Sequence, residues 1–382
     1  SPVINASLLG VVRRCAHYNN QIGKIYAAKH GIEGVLLEEL IDMGAQDPIE
    51  LELLKNTPAS GAIGTCRYKL DENCREDFER IIEVLQAHNI GYFFYIGGND
   101  SMDTADKVSK LAHEKGFELV VTGVPKTIDN DLGDEEFSII DHTPGYASAA
   151  RYWASIIQNT NEENKGMCVS ERVAVLQAMG RKSGYITAAA RLADPDREMP
   201  LQMYFAESGH NLDTLTENVH AELKKSGRCI VVVNEGFDVG FLGEAHDGFG
   251  HVEYGASRTT AAQVVVNHLN KLKFPVRGHA TGQVPGVLQR STSIYRSKVD
   301  IEEAYTVGTH AVDVAVQDGT GYMATILRGK KDVYQAVYSK VALRTVANSE
   351  RHLPKSWITP DGIDVTDDFI RYAQPLIGDG WP

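Results

Sequence analysis

Two carboxylates and one amine lie close together in the stretch 125–131, whose sequence is Pro-Lys-Thr-Ile-Asp-Asn-Asp. One carboxylate of such a pair can take a proton from an attacking hydroxyl while the other holds Mg²⁺ through oxygen. A charged surface turn is the ordinary outcome for a run of this kind. The position of the stretch favours chemistry, because it directly follows an apolar strand predicted at 117–124.

A glycine pair, Gly97-Gly98, follows a second apolar strand predicted at 92–96, and Ser101 opens a predicted helix that continues to Glu114. Glycine has no Cβ, so backbone N–H groups in such a turn can approach a phosphate, and the helix N-terminus favours an anion. Glycine pairs also follow strands for packing alone, and both interpretations stay open here. The adjacent Asp100 favours function, since a carboxylate in a phosphate cradle requires a bridging metal or excludes a ligand.

Basic residues elsewhere suit two different phosphate compounds. Arginine pairs with phosphate oxygens through two N–H groups, and phosphoryl transfer needs mainly positioning and neutralisation of charge. The residues suited to a polyphosphate are Gly97, Gly98, Arg67 and Lys126. The residues suited to a second phosphate, on an acceptor, are Arg172, Arg181 and Arg290. Arg67 lies in a Gly-rich loop that is equally typical of a solvated turn.

Strands alternate with helices along the chain, which predicts an α/β fold with mainly parallel sheets, and the residues after Arg351 are predicted to be loop-rich. In such folds ligands bind beyond the carboxyl ends of the strands. Several predicted strands end in loops with charged or Gly-rich chemistry, and we expect these loops to form one shared active site. They are Gly97–Asp100, Lys126–Asp131, Met179–Arg181 and Asn234–Glu235.

The composition restricts the class of protein. The 382 residues are 43% hydrophobic and carry a formal net charge of −13, which argues against a general binder of nucleic acid or of a membrane surface. No apolar run reaches the roughly 20 residues that span a bilayer. Five cysteines lie scattered without metal-ligand spacing, which indicates reduced thiols and a cytoplasmic location.

At this point the motifs resemble a known family. Gly-Gly-Asn-Asp-Ser, Pro-Lys-Thr-Ile-Asp-Asn-Asp, Met-Gly-Arg, Asn-Glu-Gly and Gly-x-x-Gln-Arg occur in the order and at the spacings of the 6-phosphofructokinases. The resemblance extends from Ser1 to about Leu343, and the Thr-Ile-Asp-Asn-Asp element is its most specific part. Within the family, the chain is similar to the pyrophosphate-dependent type.

The resemblance implies two Rossmann-like three-layer (αβα) domains with mainly parallel sheets. The phosphoryl-donor domain, for pyrophosphate and Mg²⁺, is expected to comprise residues 1–140 plus about 290–340. The fructose 6-phosphate domain is expected to comprise about 141–289 plus 341–382. It also implies that a first strand and a Gly-Gly loop precede Ser1.

The resemblance also implies roles for individual residues. Asp129 is expected to be the base that deprotonates the 1-hydroxyl of fructose 6-phosphate, and Lys126 and Thr127 complete the catalytic set. The residues implied for the metal, Mg²⁺, are Asp100 and Asp131. Those implied for pyrophosphate are Gly97, Gly98, Arg67, Asp100 and Lys126. Those implied for the sugar phosphate are Arg172 from a neighbouring subunit, Met179, Gly180, Arg181, Glu235, Arg290 and Arg277.

The donor is predicted from two positions. ATP-dependent members of the family carry Gly where this chain has Asp100, and usually Gly where it has Lys126. A carboxylate at position 100 would repel the α-phosphate of ATP, and Lys126 supplies charge that suits a shorter donor. Both positions favour pyrophosphate as the donor. We prefer this interpretation to the alternative that the two residues are surface charges that drifted without a function.

We therefore expect a reversible, Mg²⁺-dependent transfer of phosphate from pyrophosphate to fructose 6-phosphate, in glycolysis or gluconeogenesis. The shared role of Arg172 implies a homodimer or homotetramer, with no nucleic-acid or membrane partner. Two alternatives stay open: an ATP-dependent 6-phosphofructokinase and a non-catalytic sugar-phosphate sensor. Nothing in the sequence excludes sedoheptulose 7-phosphate as an acceptor.

Overall fold

Apolar strand segments of this chain assemble into layered sheets in two separate structural units. The computed structural model describes residues 1–59, 61–68, 70, 75–167, 169–240, 243, 245–246, 251–254, 257–330, 333–347 and 349–380. Unit 1 comprises Ser1–Thr127, Leu132–Gly145 and Lys298–Glu350. Unit 2 comprises Ile128–Asp131, Tyr146–Ser297 and Arg351–Pro382.

The elements follow one another as strands and helices in alternation. The strands are β1 (Tyr26–Ala28), β2 (Leu40–Asp42), β3 (Tyr92–Gly97), β4 (Val120–Pro125), β5 (Glu171–Ala178), β6 (Leu201–Tyr204), β7 (Cys229–Asn234), β8 (His279–Gln283), β9 (Tyr322–Arg328) and β10 (Ala336–Ala342). The helices are α1 (Ile4–His17), α2 (Ile32–Leu36), α3 (Pro48–Leu53), α4 (Arg75–Ala87), α5 (Asn99–Glu114), α6 (Tyr146–Gly166), α7 (Tyr185–Ala188), α8 (Leu212–Ser226), α9 (Ala261–Lys271), α10 (Lys298–Asp318), α11 (Leu343–Val346) and α12 (Asp367–Ile377). Short 3₁₀ turns cover 54–56, 189–193, 206–208, 286–290 and 355–357.

Unit 1 is built on a sheet with the strand order β10-β9-β4-β3. β3, β4 and β9 run parallel, and β10 is an antiparallel edge strand. Side chains alternate across β3: Phe93 and Tyr95 pack toward α4 and α5, whereas Phe94 and Ile96 pack toward α1 and α10. Helices therefore cover both faces of this sheet, as in a three-layer αβα arrangement.

Unit 2 is built on an all-parallel sheet with the strand order β6-β7-β5-β8. β7 is buried along its whole length. Val231 and Val233 pack toward α8 and α9, while Ile230 and Val232 are fully buried on the other face, where α6 and α7 lie. Such continuous apolar strands are typical of parallel sheets covered on both faces.

The α/β fold with mainly parallel sheets is confirmed, and most predicted strands are present with shifted ends. α5 begins at Asn99 instead of the predicted Ser101. β2, β6, β8 and β10 were not predicted. The prediction of a loop-rich segment after Arg351 is wrong over 367–377, which forms α12.

The two units differ from the expected domain ranges at their borders. Residues 128–131 and 290–297 belong to unit 2, and residues 141–145 and 341–350 belong to unit 1. In the ranges that the structure describes, no helix is both long enough and apolar enough to cross a bilayer.

Candidate active site

The predicted phosphate cradle lies in unit 1, where β3 ends and α5 begins. Gly98 is the N-cap of α5, and the N–H of Met102 donates to its carbonyl at 3.0 Å. Gly97 has to be glycine, because an added Cβ would stand 2.0 Å from the Ser101 hydroxyl. Asp100 lies in the first turn of α5. A carboxylate there is favoured by the helix dipole, so Asp100 itself supplies negative charge to the cradle.

Strand pairing places Lys126 beside this turn. β3 and β4 are parallel neighbours, with Gly97 opposite Pro125, and the N–H of Lys126 donates to the carbonyl of Gly97 at 2.9 Å. A Cβ on Gly98 would be 3.6 Å from the Lys126 carbonyl, which is ordinary contact. The Gly97–Gly98 turn and the Lys126 backbone therefore adjoin, as predicted from their places after neighbouring strands.

Arg67 is exposed and lies in an irregular segment of unit 1. Its neighbours Cys66 and Tyr68 pack against the apolar cluster that includes Tyr95 of β3. Burial raises the pKa of Tyr95, and the charges of Cys66 and Asp100 add to the rise. The segment that carries Arg67 therefore packs against the same apolar cluster as β3.

Thr127 is held through its backbone. Its carbonyl accepts a hydrogen bond from the Thr143 hydroxyl at 2.9 Å, and it forms a parallel bridge with Gly145. The N–H of Gly145 donates to the Asp300 carboxylate at 2.8 Å. Gly145 has φ +113°, a conformation that favours glycine.

A buried charged cluster, which we call the His142 cluster, adjoins Thr143 in sequence. Its members are Asp141, His142, Glu303, Arg328 and Tyr334. The His142 ring contacts the Asp141 carboxylate at 2.9 Å and that of Glu303 at 2.7 Å. Burial acts to lower the pKa of His142, but Glu303 and Asp141 raise it to about 10. Arg328 pairs with both oxygens of Asp141 at 2.9 and 3.0 Å, and Tyr334 donates to Glu303.

The acid-rich loop Asp129–Asp131 belongs to unit 2. Asp129 is half-buried, and Asp131 is 7% exposed. Asn130 between them is fully buried and has φ +58°. Its amide donates to the hydroxyl of Tyr372 in α12 at 2.8 Å. Sequence reasoning missed Tyr372, although Phe369, Tyr372, Ala373 and Leu376 follow helical spacing.

The loop that follows β5 meets the end of β7, since these strands are parallel neighbours with Ala178 opposite Asn234. The N–H groups of Gly180 and Arg181 donate to Glu235 Oε1 at 3.0 and 2.7 Å. Burial raises the pKa of Glu235 to about 7; the N–H of Arg181 opposes this rise, and the charge of Asp129 adds to it. Gly180, Arg181, Glu235 and Asp129 are therefore electrostatically coupled, as the shared-site prediction requires within unit 2.

Gln289 places the turn that carries Arg290. Its Oε1 accepts from the N–H of Met179 at 3.0 Å and from the indole of Trp153 at 2.8 Å. Gln289 is 2% exposed, whereas the adjacent Arg290 is half-buried. Gln289 was not predicted as a site residue, yet it stands in the Gly-x-x-Gln-Arg motif.

Arg172 and Arg277 lie at the other end of the same sheet. Arg172 Nε donates to the Arg277 carbonyl at 2.8 Å, and Nη1 donates to the Gly227 carbonyl at 2.9 Å. These residues are near the amino ends of β5 and β8. At ~3.3 Å per residue, the length of β5 separates them from Met179 by roughly 20 Å. The structure of one chain does not bring them to the other sugar-phosphate residues.

Carboxylates suited to Mg²⁺ are present in each unit, Asp100 in unit 1 and Asp131 in unit 2. Among the described residues, no group of three or more His, Cys, Asp or Glu side chains has an arrangement that could hold a metal ion. Mg²⁺ is commonly held by one or two carboxylates together with substrate phosphates, so the donor set fits it.

The four strands expected to end at one site fall into two neighbouring pairs. β3 and β4 adjoin in unit 1, and β5 and β7 adjoin in unit 2. The carboxyl ends of each pair carry the predicted residues. The single site that would combine both pairs stays a prediction.

Comparisons with known proteins find relatives along the whole chain. A family model described as phosphofructokinase matches residues 1–315. The chain is 38% identical to a pyrophosphate–fructose 6-phosphate 1-phosphotransferase of Halomonas elongata, and 37% identical to one of Methylococcus capsulatus. Each alignment covers 100% of this chain and 90% of the relative. The crystal structure of a pyrophosphate-dependent phosphofructokinase from Nitrosospira multiformis superposes with a TM-score of 0.88, at 38% identity, over 100% of this chain and 90% of that one.

Proposed function

Because this chain belongs to the phosphofructokinase family, we propose that it transfers a phosphoryl group reversibly from pyrophosphate to the 1-hydroxyl of fructose 6-phosphate. The products are fructose 1,6-bisphosphate and phosphate, as in glycolysis and, in reverse, gluconeogenesis. The four full-length relatives that are 36–38% identical carry this activity in their names.

The observation that carries the choice of donor is the place of Asp100 in the first turn of α5. Its carboxylate stands where a longer nucleotide donor would bring its α-phosphate, and like charges repel. Gly97, Gly98 and the cations Lys126 and Arg67 bind pyrophosphate on the unit 1 side. Lys126 neutralises charge on the moving phosphoryl group, which is the main requirement of this chemistry.

Asp129 acts as the general base. Its carboxylate takes the proton of the 1-hydroxyl, the hydroxyl oxygen bonds to phosphorus, and the bond from that phosphorus to the bridging oxygen breaks, so phosphate leaves. Thr127 lies two residues before Asp129 and links the donor residues to the base along the chain. The charge of Asp129 also reaches Glu235, which supports a place for the base beside the sugar-binding residues.

The carboxylates of Asp100 and Asp131 would hold Mg²⁺, which when bound neutralises charge on pyrophosphate. Asp131 supports this role because it is 7% exposed, and a buried carboxylate is stabilised by a cation. Omission of Mg²⁺ is expected to abolish turnover.

The sugar is held by the loop after β5 and by Glu235. Met179, Gly180 and Arg181 present backbone and side-chain groups to it, while Glu235 accepts from its hydroxyls. Arg290 binds the 6-phosphate, and Gln289 fixes the turn on which Arg290 stands.

A second copy of this chain completes the 6-phosphate site. Arg172 and Arg277 stand roughly 20 Å from Met179 within one chain, so they serve the site of a neighbouring subunit. Apolar side chains are exposed beside β8 and after it: Val284 (45%), Val287 (58%), Leu288 (56%) and Ile294 (78%). A groove of about 580 Å³ lies between α6 and this edge. These features support a homodimer or homotetramer that buries the β8 edge.

Mixing two inactive variants tests the shared site. Arg172→Ala and Asp129→Asn subunits, refolded together in equal amounts, should regain at most about a quarter of the wild-type activity, because random pairing makes about half of the pairs hybrid and one of the two sites in each hybrid has both native residues. Refolded alone, each variant serves as the control. No recovery in proven hybrids, or a fully active monomer in sedimentation, would contradict the shared site.

The donor test uses the whole chain with fructose 6-phosphate and Mg²⁺ and compares pyrophosphate with ATP. Turnover with pyrophosphate alone is expected. Turnover with ATP alone would reject the role of Asp100, and no turnover with either donor would favour a sugar-phosphate sensor. Asp100→Gly with Lys126→Gly should gain use of ATP.

We place the reaction in the cytoplasm because Cys15, Cys66 and Cys229 are free thiols.

A further inference from the structure

Arg351 is a fully buried cation in unit 2 that faces the Asp129–Asp131 loop. Its Nε and Nη2 both donate to the carbonyl of Asn130 at 3.0 Å, and Nη2 also donates to Asn130 Oδ1 at 2.9 Å. Its backbone N–H donates to the carbonyl of Asp131 at 2.6 Å. Arg351 therefore grips the residues on the C-terminal side of Asp129 through main chain and side chain together.

The backbone of Asn130 needs such support. Its φ of +58° is in the left-handed region, which costs free energy for a residue with a Cβ, although asparagine tolerates it better than most. The planar guanidinium fork fits the carbonyl and amide oxygens of one residue at once. Tyr372 holds the other end of the same amide at 2.8 Å. The turn that separates Asp129 from Asp131 is thus fixed from outside the loop.

Arg351 also reaches the sugar-binding loop. Its carbonyl accepts from the Ser183 hydroxyl at 3.1 Å, and the carbonyl of Ser183 accepts from the Asn234 amide at 3.2 Å. The guanidinium lies 5.4 Å from the centre of the Tyr185 ring, within range of a cation–π contact. One residue therefore connects the loop that carries the base with the loop that follows Met179–Arg181.

The geometry points to Arg351 as a positioning residue, which sets Asp129 and Asp131 against the sugar-binding loop for phosphoryl transfer. This inference rests on the proposed roles of Asp129 and Asp131. The phosphofructokinase family model matches residues 1–315, so Arg351 lies outside the part of the chain that it covers. The earlier prediction of a loop-rich tail gave this segment no role in the site.

Arg351→Lys is the primary variant, because it keeps the charge and loses the fork. Arg191→Lys is the matched control: Arg191 is a buried arginine of unit 2, 2% exposed, bound to Asp194 and Asp364. Melting temperature, kcat and both KM values are measured on folded enzyme at saturating Mg²⁺. We expect Arg351→Lys to lower kcat by about 10²-fold, as small misplacements of reacting groups do, with little change in the KM for pyrophosphate. Arg191→Lys should lower only the melting temperature.

A double-mutant cycle tests whether Arg351 acts through Asn130. Asn130→Gly removes the amide but permits the positive φ. In that background Arg351→Lys should lower kcat by less than about 10²-fold, because Nη2 has already lost its side-chain acceptor while the main-chain carbonyl at position 130 is kept, and contacting residues have non-additive effects. Fully additive losses, or a kcat of Arg351→Lys within twofold of wild type, would overturn the inference.

Asp129→Asn separates this inference from the proposed function. If Asp129→Asn is inactive and Arg351→Lys is normal, only the positioning role fails. If Asp129→Asn turns over normally, the proposed base fails and the inference fails with it. If Arg351→Lys and Arg191→Lys lose kcat equally, the effect is general destabilisation and the inference is rejected.

Discussion

Two consecutive pieces of the stretch 125–131 are held by different chemistry. The carbonyl of Thr127, in unit 1, accepts a hydrogen bond from Thr143. Thr143 directly follows His142, whose buried ring contacts two carboxylates. Asn130, in unit 2, is held by one arginine and one tyrosine that contact its neutral carbonyl and amide. The unit 1 piece therefore lies near a titratable histidine, whereas the unit 2 piece is held by hydrogen bonds to neutral groups.

This difference predicts which parts of the protein should respond to pH. The His142 ring changes charge within the range in which the protein can be studied, because its pKa is raised to about 10. In unit 2, Glu235 also changes charge in this range, because burial raises its pKa to about 7. Stability should therefore respond to pH through unit 1, and sugar binding through unit 2.

The largest effect is expected at the proposed base. Asp129→Asn keeps the shape of the side chain and removes its ability to take a proton, so kcat should fall by ~10²–10⁴-fold. Steady-state kinetics with saturating pyrophosphate and Mg²⁺ measure this loss. Asp238→Asn, at an acid three residues beyond Glu235, is a control for the amide substitution itself. Turnover of Asp129→Asn near that of wild type would remove Asp129 from the chemistry.

His142→Gln should lower the free energy of unfolding and is not expected to remove a catalytic group. It leaves Asp141 and Glu303 without their shared cation, and breaking a buried ion pair costs about 3–5 kcal/mol. Because the folded pKa of His142 is raised from 6.5 to about 10, its contribution is complete below pH 6.5 and is lost as pH rises toward 10. Urea unfolding of both proteins between pH 6 and 10 checks this. A gap between them that does not narrow with rising pH would contradict the charged state of His142.

Glu235→Gln should change how sugar binding responds to pH. The carboxylate accepts hydrogen bonds from the N–H groups of Gly180 and Arg181, and in the proposed site its ionised form also accepts from the sugar, so the KM of wild type for fructose 6-phosphate should rise as pH falls below about 7. Loss of one charged hydrogen bond corresponds to about tenfold. Glu235→Gln should lack this pH dependence between pH 6 and 8, while titration of the substrate phosphate affects both proteins alike. An identical profile in the two proteins would show that Glu235 does not titrate in binding.

Much of the fold was accessible from the sequence because buried parallel strands are continuous apolar runs. Tyr92–Ile96 and Cys229–Asn234 could be recognised in this way, and the loops at their carboxyl ends were then site candidates. β8 could not be recognised, since His279–Gln283 contains a glycine and is largely exposed at a sheet edge. The exposed edge strand β8 lacks the apolar pattern on which such predictions depend, whereas β3, at the edge of the other sheet, has it.

The residues that hold the site were harder to predict than those that form it. Asp129, Glu235 and Arg181 stand in short motifs, whereas Arg351 and Tyr372 reach Asn130 from more than 200 residues away in sequence. Nothing in local spacing indicates such a contact. The helical pattern of 367–377 was present in the sequence, and the helix forms although Pro375 lies within it.

Tyr372→Phe is the mildest of these changes, because it removes one hydroxyl from unit 2 and leaves the ring in place. The ring keeps its packing against Trp357 at 4.8 Å between centroids, while the Asn130 amide loses its partner at 2.8 Å. Loss of one such bond costs about 1 kcal/mol, or several-fold in kcat if the bond acts on the loop geometry. Tyr204→Phe, which removes a buried hydroxyl bound to Gln202 in the same unit, is the matched control. If both variants lose stability alike but only Tyr372→Phe loses kcat, the hydroxyl positions the Asp129–Asp131 loop; if neither loses kcat, the arginine alone is sufficient.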